Sequence, residues 1–133
     1  MTSYRWCDVK IRGMSIPFEG LRTTIYPAPD LAAAKAWWTG LLGREPYFDQ
    51  PFYVGFDVAG YELGLLPDAD PADGALVYWG VPDVAVAVAT AIAAGAVEHS
   101  PVADVGEGII TATVRAPDGS IVGFIRNPNF TLG

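Results

Sequence analysis

Two stretches of this chain begin in the same way. Pro29-Asp30-Leu31 and Pro82-Asp83-Val84 each set a proline and an aspartate before a run of small and apolar residues. Each run is closed by a glycine, Gly43 in the first and Gly95 in the second. An aspartate in that place caps a helix, because its carboxylate accepts a free N–H of the first turn, and glycine takes the left-handed conformation that ends one. Ahead of each cap lies an alternating stretch rich in β-branched and aromatic residues, 21–26 and 75–81, which reads as a strand. Behind the first helix, 52–58 alternates, Ala59-Gly60 makes a two-residue turn and 61–66 returns as the hairpin partner. Behind the second, 109–115, the turn Ala116-Pro117-Asp118-Gly119 and 120–126 repeat the arrangement. With 44–50 and 97–103 as second strands, each half reads strand, helix and three strands.

Such a repeat predicts the α+β class: two tandem βαβββ modules forming a cupped mixed sheet around a cavity, with the helices on the outer face. Module one covers about 20–67 and module two about 75–130, joined by the turn-rich stretch 67–74 within a single domain at 20–133. Residues 1–19 match neither half and are expected to be an N-terminal arm or an extra edge strand. In the first helix Leu31, Ala34, Trp38, Leu41 and Leu42 recur at helical spacing, giving the stripe that faces the sheet.

Composition narrows the partners. Apolar residues make up 51% of the 133, enough for a core, but no apolar run is long enough to span a membrane. Net charge is −7, and the eight basic residues are scattered, so a phosphate backbone is repelled and nucleic acid is not expected. A cationic or neutral amphipathic small molecule suits that balance better. The one cysteine, Cys7, has no partner for an internal disulfide, and the charged N-terminal residues are unlike a secretory signal; a cytoplasmic location is expected. His99, between Glu98 and Ser100, reads as a surface residue. Four Trp, six Tyr and six Phe supply rings for a core and for a pocket taking a flat ligand.

The segment from Tyr26 to Gly43, with its aspartate cap, its aromatic pair Trp37-Trp38 and its Leu-Gly ending, resembles the vicinal oxygen chelate superfamily of glyoxalases, extradiol dioxygenases and bleomycin-resistance proteins. Ala116-Pro117-Asp118-Gly119 and the strand after it resemble that superfamily's closing turn and last strand. The resemblance implies a divalent metal held by one side chain from the first and one from the last strand of each module. Those positions fall seven residues before the capping aspartate, at Thr23 and Leu76, and four after the hairpin glycine, at Gly64 and Gly123. None is a His, Glu or Gln, and leucine and glycine have no side-chain lone pair to give. No metal, no cofactor and no catalytic residue are therefore expected.

Strand alternation gives the cavity's lining. Thr23 shares its face with Tyr53, Gly55 and Asp57, and with Glu62, Gly64 and Leu66; the second half adds Leu76, Tyr78, Thr111, Thr113 and Arg115. Glycine and apolar residues at the metal positions should enlarge the pocket. Asp57 and Glu62 flank one hairpin, and a role in orienting a ligand or pairing with Arg115 outweighs acid–base catalysis. Tyr47 and Phe48, beside prolines, suggest a lip over the pocket or a dimer contact, and Trp38 a further ring in reach of a ligand. The candidate ligand-binding set is Thr23, Trp38, Tyr47, Phe48, Tyr53, Asp57, Glu62, Leu76, Tyr78, Thr111, Thr113 and Arg115. Loss of the metal ligands resembles the drug-binding branch, which implies a homodimer that sequesters a hydrophobic or aromatic natural product or antibiotic without metal. The alternative is a lyase, isomerase or dioxygenase-like enzyme of the same superfamily.

Overall fold

The computed structural model describes residues 15–131; Cys7 and most of the expected N-terminal arm lie outside them. Both modules form in the predicted order. The first comprises β1 (Gly20–Pro27), α1 (Leu31–Leu42), β2 (Phe48–Gln50), β3 (Tyr53–Val58) and β4 (Tyr61–Leu66). After a single 3-10 turn at Pro71–Asp73 the second adds β5 (Leu76–Gly80), α2 (Val84–Ala93), β6 (Val97–Gly106), β7 (Ile109–Arg115) and β8 (Ile121–Arg126). The fold is α+β. Its strands run in the order β2-β3-β4-β1 in the first half and β5-β8-β7-β6 in the second. The sheet is mixed, because β1 and β4 pair in parallel while the β3–β4 and β7–β8 hairpins are antiparallel.

The chain divides into two compact units, with the division falling inside β5. Of the described residues, one unit holds Leu21–Tyr78 and 129–131; the other holds Trp79–Pro128 and 15–20. No helix among the described residues is long and apolar enough to cross a membrane.

Local chemistry sets the element ends. Asp30 Oδ1 accepts the Ala33 N–H at 3.1 Å, and Asp83 Oδ1 accepts that of Val86 at the same distance, so both predicted caps are made. Gly43 closes α1 at φ 69° with its N–H on the Thr39 carbonyl, 3.0 Å away. In the first unit Ala28, Val54, Phe56 and Leu65 form the buried cluster, and Leu31, Ala34, Trp38 and Leu42 of α1 pack on it. Leu41, expected in that stripe, is exposed: it sits one residue before Leu42 and is turned about 100° away from it. The second unit packs Val84, Ala87 and Val88 of α2 on Ala112, Val114 and Phe124.

The stretch 15–19 is irregular rather than an edge strand. Its Glu19 N–H donates to the Gly80 carbonyl at 2.8 Å, and Phe18 meets the rings of Trp79 and Phe124. In the first unit Phe130 closes on Tyr61, and Arg22 sits 4.1 Å above its ring.

Candidate functional site

The β3–β4 hairpin builds the site. A two-residue turn at Ala59-Gly60 fixes the register, so Val58 faces Tyr61, Asp57 faces Glu62 and Gly55 faces Gly64. Residues two apart share a face. Val54, Phe56 and Leu65 go to the α1 side, which leaves Tyr53, Gly55, Glu62 and Gly64 on the other face. Parallel pairing then sets Thr23 of β1 beside Glu62.

On that face Glu62 gathers three hydroxyls. Tyr53 donates to its Oε1 at 2.9 Å, Thr23 donates to the same oxygen over a longer 3.4 Å, and Tyr47 donates to Oε2. Thr23 is buried, Glu62 is half-buried and Tyr47 is 63% exposed, so the cluster runs from the sheet surface out to solvent. Among the described residues no cation pairs with Glu62; Lys35 pairs with Asp49 at 3.0 Å, away from this face. Burial, followed by the Glu62 charge and the hydrogen bond to it, holds the Tyr53 phenol far above its ordinary range. Tyr78, buried nearby, adds to that rise, and its own phenol is raised by burial.

The glycines are what let these groups lie down. A Cβ on Gly64 would overlap the Tyr53 hydroxyl and come within 2.6 Å of its Cζ. One on Gly55 would meet Glu62 Oε2 at 2.8 Å and Tyr47 Cε1 at 3.2 Å. The expectation that glycine at position 64 enlarges the pocket is therefore corrected. The space a metal-binding carboxylate would take is filled by a phenol from the next strand.

Five of the expected site residues meet here: Thr23, Tyr47, Tyr53 and Glu62 directly, and Phe48 through its ring, 6.2 Å from Tyr53 and 6.0 Å from Phe52. Leu76 and Tyr78 are buried. Asp57 does not join. Its Oδ1 accepts the Gly60 N–H at 2.9 Å, so it is exposed and braces the turn. Trp38 lies apart from this group: it stacks on Tyr26 at 5.3 Å and packs against the buried cluster under α1.

Thr111, Thr113 and Arg115 lie in the second unit. Thr113 is buried with its hydroxyl 2.7 Å from His99 Nδ1, a partnership the sequence reading missed by treating His99 as surface. Arg115 donates from Nη1 to the Gly119 carbonyl of its own hairpin at 2.9 Å. Phe52, Gly55 and Gly64 were missed as parts of a single group. Their signal was the hairpin arithmetic, which seats two glycines opposite each other beside an aromatic strand. The second unit also carries an apolar groove of about 380 Å³, walled by Phe18, Ala91, Ala96, Pro117 and Phe124.

The donor set does not fit the superfamily's metal. At the four positions that the resemblance gives to its ligands stand Thr23, Gly64, Leu76 and Gly123, and the described residues bring no three His, Cys, Asp or Glu side chains together. One carboxylate already held by three hydroxyls offers a divalent ion too few ligands.

No family model and no curated protein matches the sequence. Solved structures do match its shape. A methylmalonyl-CoA epimerase from Streptomyces coelicolor superposes with a TM-score of 0.67 at 14% identity, over 87% of this chain and 99% of that one. A glyoxalase/bleomycin resistance protein/dioxygenase superfamily member from Vibrio splendidus gives 0.59 at 18%, over 80% and 99%. Homoprotocatechuate 2,3-dioxygenase from Brevibacterium fuscum gives 0.65 at 15%; this chain covers 34% of that longer protein and 88% of itself is matched. Identities this low carry the architecture and not the activity. With the two βαβββ modules, the parallel β1–β4 pairing and these superpositions, the chain has the vicinal oxygen chelate fold.

Proposed function

We propose that this protein binds a hydrophobic or aromatic small molecule, of natural-product or antibiotic type, without a metal, and sequesters it rather than transforming it. The observation that carries this reading is the Tyr53 phenol lying over Gly64 and donating to Glu62. It supports the reading because an aromatic, hydrogen-bonded group lies over a position that the resemblance gives to a metal ligand. Around it the rings of Tyr47, Phe48 and Phe52 are exposed, and rings bordering a recessed polar group are what a planar ligand stacks on. Glu62 is a poor candidate for a general base, because its two oxygens already accept three hydroxyls. A single cysteine and no disulfide framework suit a reducing, cytoplasmic setting.

Elemental analysis of the purified protein, paired with thermal melts in a panel of polycyclic aromatic compounds with and without EDTA, tests the proposal. A ligand that binds only the native state raises the melting temperature; a hundredfold excess over Kd adds about 2.7 kcal/mol. The expected result is such a rise, the same with EDTA, in protein free of stoichiometric metal. A rise that EDTA abolishes, or one metal ion per chain, overturns it.

A further inference from the structure

We infer that the ligand carries a protonated amine, and that Glu62 is the group that receives it. This deepens the small-molecule reading above and rests on it. Each of Tyr47, Tyr53 and Thr23 has one hydroxyl proton, and each gives it to Glu62. What Glu62 has left is a lone pair. A carboxylate has about four acceptor sites, and three are taken, so one more donor can be received and no acceptor is welcome. Glu62 is half-buried with hydroxyl partners and no cationic one among the described residues, and a carboxylate withdrawn from water gains from a cation at its side. Hydroxyls spread its charge without cancelling it.

An ammonium supplies both missing elements, a donor and a positive charge. The flanking rings suit the same guest. Tyr47 and Tyr53 each donate to a different carboxylate oxygen, which keeps two aromatic rings beside the anion, and a ring face within reach adds to a cation's attraction. A net charge of −7 favours its approach over that of an anion. The ligand class is thus an amine attached to a flat aromatic or apolar body, the body resting on Tyr47, Phe48 and Phe52.

The test uses three probes of one shape on the full chain by calorimetry at neutral pH: naphthylmethylamine, naphthylmethanol and naphthoate. The amine should bind about tenfold more tightly than the alcohol, one charged hydrogen bond's worth, and naphthoate should bind weakest. Glu62→Gln should erase the amine's advantage over the alcohol, since it removes the charge and turns one acceptor oxygen into an N–H donor. Should that variant fail to fold, the native chain decides by salt dependence: raising ionic strength should weaken the amine severalfold and leave the alcohol unchanged. An alcohol as tight as the amine, or a preference that survives Glu62→Gln, overturns the amine assignment and leaves aromatic binding standing. No binding by any of the three overturns both.

Discussion

Gly64 and Tyr53 depend on each other. A methyl group on Gly64 would occupy the place of the Tyr53 hydroxyl, so Gly64→Ala must push the ring off Glu62. Overpacking of this kind costs about 1–3 kcal/mol, measurable as a lower denaturant midpoint with an unchanged slope. In a Tyr53→Ala background the same change should cost far less, and a double-mutant cycle would show the coupling. The raised phenols make a second prediction at this scale. Tyr53 and Tyr78 stay protonated in the folded chain above the ordinary tyrosine range near pH 10, while the unfolded chain ionises there. The native state then binds more protons, so the stability these groups contribute is full below about pH 10 and is lost as pH rises beyond it. Ultraviolet titration of the native chain should show Tyr53 and Tyr78 resisting ionisation until it unfolds, an amplitude that Tyr53→Phe and Tyr78→Phe each reduce. The face each of these residues occupies was legible in the sequence from strand alternation alone. What fills the space above a glycine was not, because that depends on which long side chain reaches across from the neighbouring strand.

At the level of elements, the β3–β4 hairpin governs the site, and its turn is under strain. Ala59 sits at φ 55° and Gly60 at φ 92°, both left-handed, in a turn whose first position suits glycine or asparagine. Ala59→Gly should relieve that strain and stabilise the chain by about 0.5–1 kcal/mol, read from chemical denaturation. Asp57 and Glu62 should separate in the same hairpin. Asp57→Ala removes the acceptor for the Gly60 N–H and lowers stability by about 1 kcal/mol, with ligand affinity unchanged, whereas Glu62→Gln acts on affinity. The sequence placed both acids on one face from their spacing. It could not tell that a residue next to a tight turn uses its carboxylate on the turn's own backbone. The helices were the most legible elements, since Asp30, Gly43 and Asp83 act within one turn of their own position. Leu41 and Trp38 were harder. Both are apolar at plausible spacing, and only packing decides which of them meets the sheet.

Over the whole molecule, the repeated strand–helix–three-strand order was readable because each half carries its own caps and hairpin turn. Function was less readable, since superposition on proteins at 14–18% identity gives the backbone and leaves the side chains to be argued residue by residue. Self-association is proposed with the binding activity. The outer surface of α1 exposes Trp37 at 61% and Leu41 at 63%, and Lys35 is that helix's only charge. Sedimentation should find a dimer, and Trp37→Glu should shift it toward monomer. Amine binding at Glu62 is read directly by an amide NMR titration of the full chain with naphthylmethylamine. The largest shifts should fall on Tyr53, Gly55, Glu62 and Gly64, with the amides of the second unit's groove, Ala91, Ala96 and Phe124, little changed. Shifts concentrated in that groove, or spread evenly over the surface, would contradict it.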